Sequence, residues 1–369
     1  MRGAWAEIDI AALNRNVQRL QERAPASQIL AILKANAYGH GLIEIAKHIQ
    51  GVGAIGVARV GEAMRLRENG CQLPIVLLEG FFSATELPLL AEYQLQPVIH
   101  QQQQLQQFLG YRFNTNIPVW LKVDSGMHRI GLDPEFAAQA YQSLCEHPDV
   151  AEAPVIMSHF ACADEANHPL NMKQQQVMQT LASLSPVRSF ANSAAIVNFP
   201  AWQQQWVRPG LLMYGVSPIR SESSESLGVT PVMTLKASII SVRSVKQGES
   251  VGYGSAWTAS RDTQVGIVAI GYGDGYPRHA PNGTPVLING HRYGLAGRVS
   301  MDMLAVELGP GSAVKVGDTA ILWGKDEASQ QQLSVDDIAA AAGTISYELL
   351  CNMAQRVEYD YALSKQISM

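Results

Sequence analysis

Lys34 ends an apolar run and opens a glycine-bearing turn in Ile29-Leu-Ala-Ile-Leu-Lys34-Ala-Asn-Ala-Tyr38-Gly-His-Gly41. Apolar surroundings lower a lysine's pKa, because desolvation penalises the ammonium form. A neutral amine is a nucleophile that forms a Schiff base with an aldehyde, so the stretch suggests a covalently held carbonyl cofactor. The blander alternative is a solvated strand end, the usual fate of a lysine. Arg129, in Leu121-Lys122-Val-Asp124-Ser-Gly-Met-His-Arg129, can present a bidentate fork to a carboxylate, or instead pair with Asp124 for stability. Lys122 points inward by strand alternation, and a buried lysine needs a partner or a modification. Tyr253 and Tyr272 lie in the glycine-flanked stretches Val251-Gly-Tyr253-Gly and Gly271-Tyr272-Gly-Asp274-Gly-Tyr276. Loop tyrosines mostly just pack, but a hydroxyl beside a cationic centre can act as an acid or base.

Short apolar runs alternate with amphipathic stretches through the first part of the chain. Strands are expected at Ile29–Leu33, Ala54–Ala58, Ile75–Leu78, Pro97–Ile99, Val119–Val123, Val155–Ser158, Arg188–Ala191 and Trp206–Arg208. Helices are expected between most of them, including Leu42–Ile49, Gly61–Asn69, Ala84–Tyr93 and Pro134–Glu146. Eight such units are what a TIM-like (β/α)8 barrel needs. The glutamine-rich run Gln101–Gln107 reads as a solvated helix face. Near residue 216 the texture changes. A polar Ser/Glu segment gives way to glycine-separated strands at Val232–Val245, Val265–Ile270, Pro285–Ile288, Val299–Leu308 and Ala320–Trp323, with a helix at Val335–Ala342. The expected organisation is a barrel over 1–227 and a mostly antiparallel β domain over 228–369. Trp5–Ile10 alternates like a strand that could pair with the second domain.

A barrel gathers its chemistry at the C-terminal ends of its strands. Lys34, His159, Ser193 and Arg208 all fall there. The loops after the last two strands are the usual phosphate cradle of this fold. Ser193 and the backbone N–H groups of Gly210 and Leu211 are placed to fill it. An aldehyde-binding lysine and a phosphate cradle on one face point to pyridoxal 5′-phosphate, which carries both groups.

Composition narrows the class. The 369 residues are 47% hydrophobic and 16% charged, with a formal charge of −5, and no basic stripe is present. Nucleic-acid binding is disfavoured. The N-terminus has no apolar signal core, and no apolar run reaches membrane-spanning length. Cys71, Cys145, Cys162 and Cys351 are scattered, which disfavours a zinc site or a disulfide framework. A cytoplasmic protein with reduced thiols and no membrane contact is expected.

Several motifs together resemble alanine racemase. They are Lys34-Ala-Asn-Ala-Tyr-Gly-His-Gly, Lys122-x-Asp-Ser-Gly-Met-x-Arg, Asn192-Ser-Ala, Arg208-Pro-Gly, Val251-Gly-Tyr-Gly, Gly271-Tyr-Gly-Asp-Gly-Tyr-Pro-Arg and Ser300-Met-Asp, with Tyr347-Glu348 near the end. They occur in family order over essentially the whole chain. The resemblance implies a pyridoxal-phosphate barrel with a C-terminal β domain, working as a head-to-tail homodimer. It implies interconversion of L-alanine and D-alanine, for the cell wall or for alanine breakdown. Lys34 resembles the cofactor lysine and one of two bases; Tyr253 resembles the other base, donated by the partner subunit. Tyr38, Ser193, Gly210, Leu211 and Tyr347 resemble the phosphate ligands. Arg208 matches the partner of the pyridine nitrogen, and His159 the residue packed on the ring that supports it. Arg129 and the Met301 N–H match the carboxylate binders. Tyr272 matches a residue narrowing the entrance, and Lys122 a lysine often carbamylated in the family. Three positions depart from the common pattern: Ser300, His128 and Trp257.

Racemisation requires a proton to leave one face of Cα and return to the other, and two bases on opposite faces meet that need by position. A free tyrosine titrates near pH ~10, so a tyrosine base needs positive charge close by. Competing readings are a broad-specificity racemase for serine, lysine or arginine, and a non-catalytic pyridoxal-phosphate carrier. The bulk of Tyr272 and Tyr347 argues against the first. The complete β domain with Tyr253 argues against the second.

Overall fold

A computed structural model describes residues 1–150 and 152–362 of the chain. The first strand, β1 (Trp5–Asp9), stands apart from the eight that follow. These are β2 (Gln28–Ile32), β3 (Ala54–Val57), β4 (Ile75–Leu77), β5 (Leu95–Ile99), β6 (Trp120–Lys122), β7 (Val155–Met157), β8 (Arg188–Asn192) and β9 (Trp206–Arg208). They form a closed parallel barrel, with β9 returning to β2 through Gln28↔Trp206 and Ile29↔Val207. Parallel strands covered by helices are buried on both faces, so they read as continuous apolar runs. Leu30, Ala31, Ile55, Ile75, Val76 and Leu121 are accordingly all buried.

Outer helices run over Leu42–His48, Val60–Glu68, Leu87–Glu92, Gln102–Leu109, Pro134–Cys145 and Pro169–Thr180. The glutamine-rich stretch is not wholly solvated. Gln104 is buried, donating to the Phe81 carbonyl at 2.8 Å and accepting from the His100 N–H at 3.0 Å. It ties the ends of two barrel strands, which an aliphatic side chain could not do.

The second unit contains β10 (Met233–Val245), β11 (Ser250–Val251), β12 (Trp257–Thr258), β13 (Thr263–Val268), β14 (Pro285–Ile288), β15 (His291–Leu295), β16 (Leu304–Gly309), β17 (Thr319–Lys325), β18 (Gln332–Leu333) and β19 (Glu358–Ala362). Its main sheet has the order β18-β17-β14-β15-β16-β13-β10-β1-β19. β17 also pairs with β10, so the inner strands close on themselves. β1 is antiparallel to β10 and parallel to β19, with Trp5 opposite both Lys236 and Glu358. The N-terminal strand thus belongs to the sheet of the second unit, although it precedes the barrel in sequence. One core runs through both units.

The β domain departs from expectation at two places. Val299–Leu308 does not form one strand; Val299 to Met303 is a loop whose Ser300 and Met301 carbonyls accept from the Tyr272 and Gly273 N–H groups. β15 was not expected, yet Asn289-Gly290 before it carries the signal. Both residues have positive φ (50° and 77°), the requirement of a type I′ hairpin.

Candidate active site

Lys34 follows β2 directly, at the C-terminal end of the barrel. Behind it Ala35, Asn36, Ala37 and Tyr38 take φ values of 53°, 56°, 55° and 49°, one left-handed turn without a glycine. Each left-handed L-residue costs roughly 1–2 kcal/mol, so the turn needs external anchors. Glu62 supplies one: its carboxylate accepts from the Ala35 N–H at 2.8 Å, the Ala58 N–H at 2.9 Å and the Arg59 N–H at 3.1 Å. Asn36 Oδ1 accepts from the Leu42 N–H at 2.9 Å. His40 Nδ1 lies 3.1 Å from the Ala37 carbonyl and 2.8 Å from that of Tyr38, so it is the protonated ring nitrogen. From the second unit, Tyr359 donates to the Gly39 carbonyl at 2.7 Å. Gly39 has φ +75°, and any Cβ there would strike the Leu350 carbonyl oxygen. The β domain therefore braces the turn that carries Lys34.

Arg208 closes β9 and is buried. Nη1 donates to the Ser189 carbonyl at 2.7 Å and to Ser189 Oγ at 2.8 Å. Nη2 donates to the Ser158 carbonyl at 2.5 Å and reaches His159 Nδ1 at 3.2 Å. Nε finds no acceptor among the described residues, and so remains as a free donor. Burial and the neighbouring Arg129 lower Arg208 to about 10. His159 is held neutral, its pKa lowered well below 6.5 by burial first and Arg208 next. Lys122 is buried too, lowered to about 7 by burial and then by Arg208, Arg129 and Lys34. Lys34 is lowered by burial and by Arg129. Arg129 does not pair with Asp124. The Asp124 carboxylate is occupied by the Gly126 and His128 N–H groups and the His128 ring at 3.2 Å. Arg129 makes no ion pair among the described residues, and it faces the other cations.

The cradle lies beside them. Ser193 Oγ accepts from the Gly210 N–H at 2.9 Å and the Leu212 N–H at 3.4 Å, while the Leu211 N–H has no acceptor among the described residues. A Cβ on Gly210 would come within 2.7 Å of the Tyr38 hydroxyl. The Tyr38 ring leans on Tyr347, with centroids 5.8 Å apart. Lys34, Tyr38, Lys122, Arg129, His159, Ser193, Arg208, Gly210, Leu211 and Tyr347 therefore converge on one barrel mouth.

Tyr253, Tyr272 and Met301 do not all join them. Tyr253 sits on the β11–β12 hairpin, 70% exposed. The hairpin rests on Gly297 and Arg298, just before Met301. Gly271 packs so closely on Ser300 that a Cβ would strike its carbonyl oxygen, which fixes Tyr272 beside Met301. Arg356 clips both loops, 2.7 Å from Asp274 and 2.8 Å from Asp302. Tyr253 and Met301 thus lie on an exposed patch of the β domain, while Tyr272 lines a cleft with Glu348, Leu349 and Asn352.

The model of the alanine racemase N-terminal domain matches residues 8–218, and that of the alanine racemase C-terminal domain matches residues 232–361. The chain belongs to the alanine racemase family. Alanine racemase of Vibrio cholerae is 50% identical over 366 residues, 98% of this chain and 99% of that one. The biosynthetic alanine racemase of Pseudomonas aeruginosa superposes with a TM-score of 0.93 at 44% identity, over 98% of this chain and all of that one. The enzyme of Acinetobacter baumannii gives 0.91 at 38% identity over the same shares. Alanine racemases are isomerases, and the barrel-plus-β architecture is theirs.

Family motifs draw attention to the residues at the barrel mouth. Glu62, Ser158, Ser189 and Gln174, which hold those residues, were not found from the sequence. A glutamate three residues into a helix reads as a capping residue, and the Ala35 N–H it serves lies 27 residues earlier.

Proposed function

We propose that the chain interconverts L- and D-alanine with pyridoxal 5′-phosphate as cofactor, as the homodimer. The observation that carries this is the convergence of Lys34, the Arg208 Nε–H and the Ser193–Gly210 cradle at one barrel end. The residues fit the cofactor. Lys34 has a lowered pKa suited to bond its aldehyde, and the Arg208 Nε–H is a free donor for its ring nitrogen. Ser193, the Gly210 and Leu211 N–H groups, Tyr38 and Tyr347 would hold its phosphate in the space that Gly210 leaves open. When bound, the cofactor supplies an electron sink for the charge left as the Cα proton departs.

The protein's part is position. Lys34 would move a proton on one face of Cα, and Tyr253 of the partner subunit on the other. The Tyr253 hairpin is exposed, which suits it to reach across. Arg129 and the Met301 N–H, which has no acceptor among the described residues, would hold the substrate carboxylate. Tyr272 and Tyr347 would narrow the entrance to a methyl-sized side chain. Lys122, buried among cations and lowered to about 7, is neutral often enough to add carbon dioxide. Its nitrogen bonds the carbon and releases a proton to water. The resulting anion would balance Arg129. On this reading residues 1–227 hold the cofactor, and 228–369 lend Tyr253 to the neighbouring site. The D-alanine would serve peptidoglycan, or the reverse reaction would serve alanine breakdown.

The test incubates the protein with pyridoxal phosphate and each L-amino acid in turn, then separates enantiomers. D-alanine should be the dominant product. Comparable yields of D-serine, D-lysine or D-arginine would replace alanine with a broad specificity, and no D-product would overturn the reading.

A further inference from the structure

The helix Pro169–Thr180 turns a polar face inward: Asn171, Gln174 and Gln175 are buried on it, with Met178. A helix packed on a barrel normally buries an apolar stripe. Burying an amide without partners is costly, and fixing a glutamine side chain costs further rotamer entropy. Gln174 is 0% exposed and meets both costs with three hydrogen bonds. Its Nε2 donates to the His159 carbonyl at 2.8 Å and to Ser125 Oγ at 3.0 Å. Its Oε1 accepts from the Ala161 N–H at 2.9 Å. The amide has one orientation only, because a carbonyl cannot donate and an N–H cannot accept. Its neighbours differ: Asn171 Oδ1 and Gln175 Oε1 are buried without partners among the described residues.

The three bonds join two loops at the barrel mouth. One is Ser158-His159-Phe160-Ala161, whose His159 ring meets Arg208. The other begins at Asp124 and Ser125 and carries Arg129 four residues on. Ser125 Oγ is 2.8 Å from Ser158 Oγ, which donates to the Val123 carbonyl at 2.7 Å. The second loop bends through Gly126 (φ +127°) and Gly131 (φ +141°); a Val123–Leu132 bridge closes its base and Asp124 Oδ1 holds its Gly126 and His128 N–H groups, while Ser125 is the side chain that ties it to the helix and to the His159 segment.

We propose that Gln174 is a positioning residue that fixes the Arg129 loop to the His159–Arg208 ledge, setting the distance between the carboxylate-binding arginine and the cofactor ring. This rests on the reading of Arg129 and Arg208 given above. Neither Gln174 nor Ser125 touches the reacting atoms. Their loss therefore loosens binding before it slows proton transfer.

The test uses the holoenzyme and two variants, Gln174→Met and Ser125→Ala. The first removes all three Gln174 bonds at similar volume; the second removes both ties of the Arg129 loop, to Gln174 and to Ser158, and leaves the other two Gln174 bonds in place. Each is measured for alanine KM and kcat, for competition by acetate, and for cofactor dissociation by absorbance. Loss of a buried hydrogen bond corresponds to roughly five- to thirtyfold in an equilibrium constant. Ser125→Ala should raise the KM and weaken acetate by about fivefold or more, with kcat and cofactor affinity nearly unchanged. Gln174→Met should do the same and also weaken the cofactor about tenfold. A folded Gln174→Met chain with unchanged KM, acetate and cofactor affinities overturns the proposal, as does a fall in kcat alone. If Gln174→Met does not fold, Ser125→Ala decides by the same split. If the wild type binds cofactor and acetate but racemises nothing, the proposed reaction fails, while the two affinities still decide the role of Gln174.

Discussion

Arg208 Nη2 lies 3.2 Å from His159 Nδ1, with both groups packed at the end of the barrel. A guanidinium only donates, so Nδ1 is the accepting nitrogen and the ring proton sits on Nε2. Five hydrogen bonds from Nη1 and Nη2, to Ser189, Ser158, His159 and Phe190, leave the Nε–H as the free donor. Lysine has no such fork. Arg208→Lys should therefore leave the Ser158 carbonyl without its donor and the Ser189 carbonyl with the Ser158 N–H alone, at about 1–3 kcal/mol for the unsatisfied buried group. Thermal unfolding without cofactor should show the loss, and cofactor affinity should fall at least about tenfold. A variant with wild-type stability and affinity would show that the fork holds nothing.

Glu62 governs the turn behind Lys34. In Glu62→Gln one carboxylate oxygen becomes an NH2 group, which faces N–H donors instead of accepting from them. The left-handed residues Ala35 to Tyr38 should then relax. Amide hydrogen exchange across residues 35–38 should rise, and cofactor affinity should fall about tenfold, a cost of one buried hydrogen bond or more. Unchanged exchange in a folded variant would remove Glu62 from the account.

Lys122 gives a pH signature. Its folded pKa, about 7, lies below the ordinary lysine value of 10.5. Between those values the unfolded chain binds more protons, so stability rises with pH across the window. The penalty is absent above it, grows as pH falls through it, and is complete below 7. Lys122→Met should be the more stable chain at pH 7 by about 2–4 kcal/mol and should lose that advantage towards pH 10. If Lys122 adds carbon dioxide, bicarbonate at constant pH and ionic strength should stabilise the wild type and not the variant. Parallel urea midpoints for both chains, with and without bicarbonate, would contradict both statements.

Gly210 is needed for space and for conformation, since its φ of −121° and ψ of −92° fall between the regions an L-residue favours. A Cβ 2.7 Å from the Tyr38 hydroxyl must push that group aside. Gly210→Ala should weaken the cofactor and cost about 1–3 kcal/mol of stability, because alanine is strained at this backbone and its Cβ meets the buried Tyr38. Inorganic phosphate should compete less well against cofactor in the variant. Equal competition would place the phosphate elsewhere.

Much of this could be read from the residues. Parallel barrel strands are apolar on both faces, so Ile29–Leu33 was expected within one residue of β2 (Gln28–Ile32). Turns that use glycine were visible for the same reason. The glycine-bearing turn after Lys34 was among them, but its left-handed course from Ala35 to Tyr38 was not, because alanine, asparagine and tyrosine give no sign of positive φ. Its anchors are distant, Tyr359 by 320 residues, and such pairings leave no local trace. Gln174 was hidden because a helical glutamine reads as solvent-facing. The alternative pairing of Arg129 with Asp124 failed because the nearer His128 ring and two N–H groups take the carboxylate.

The central claim is a site completed by two chains, with Lys34 from one and Tyr253 from the other. Lys34→Ala and Tyr253→Phe chains are each prepared, then mixed under conditions that exchange subunits, and alanine racemisation is measured. Each homodimer should be nearly inactive, and each mixed dimer should regain one intact site. Activity in the mixture near a quarter of wild type is expected for equal chains at random pairing. A mixture no more active than its parents, with exchange shown by mass, would contradict the account.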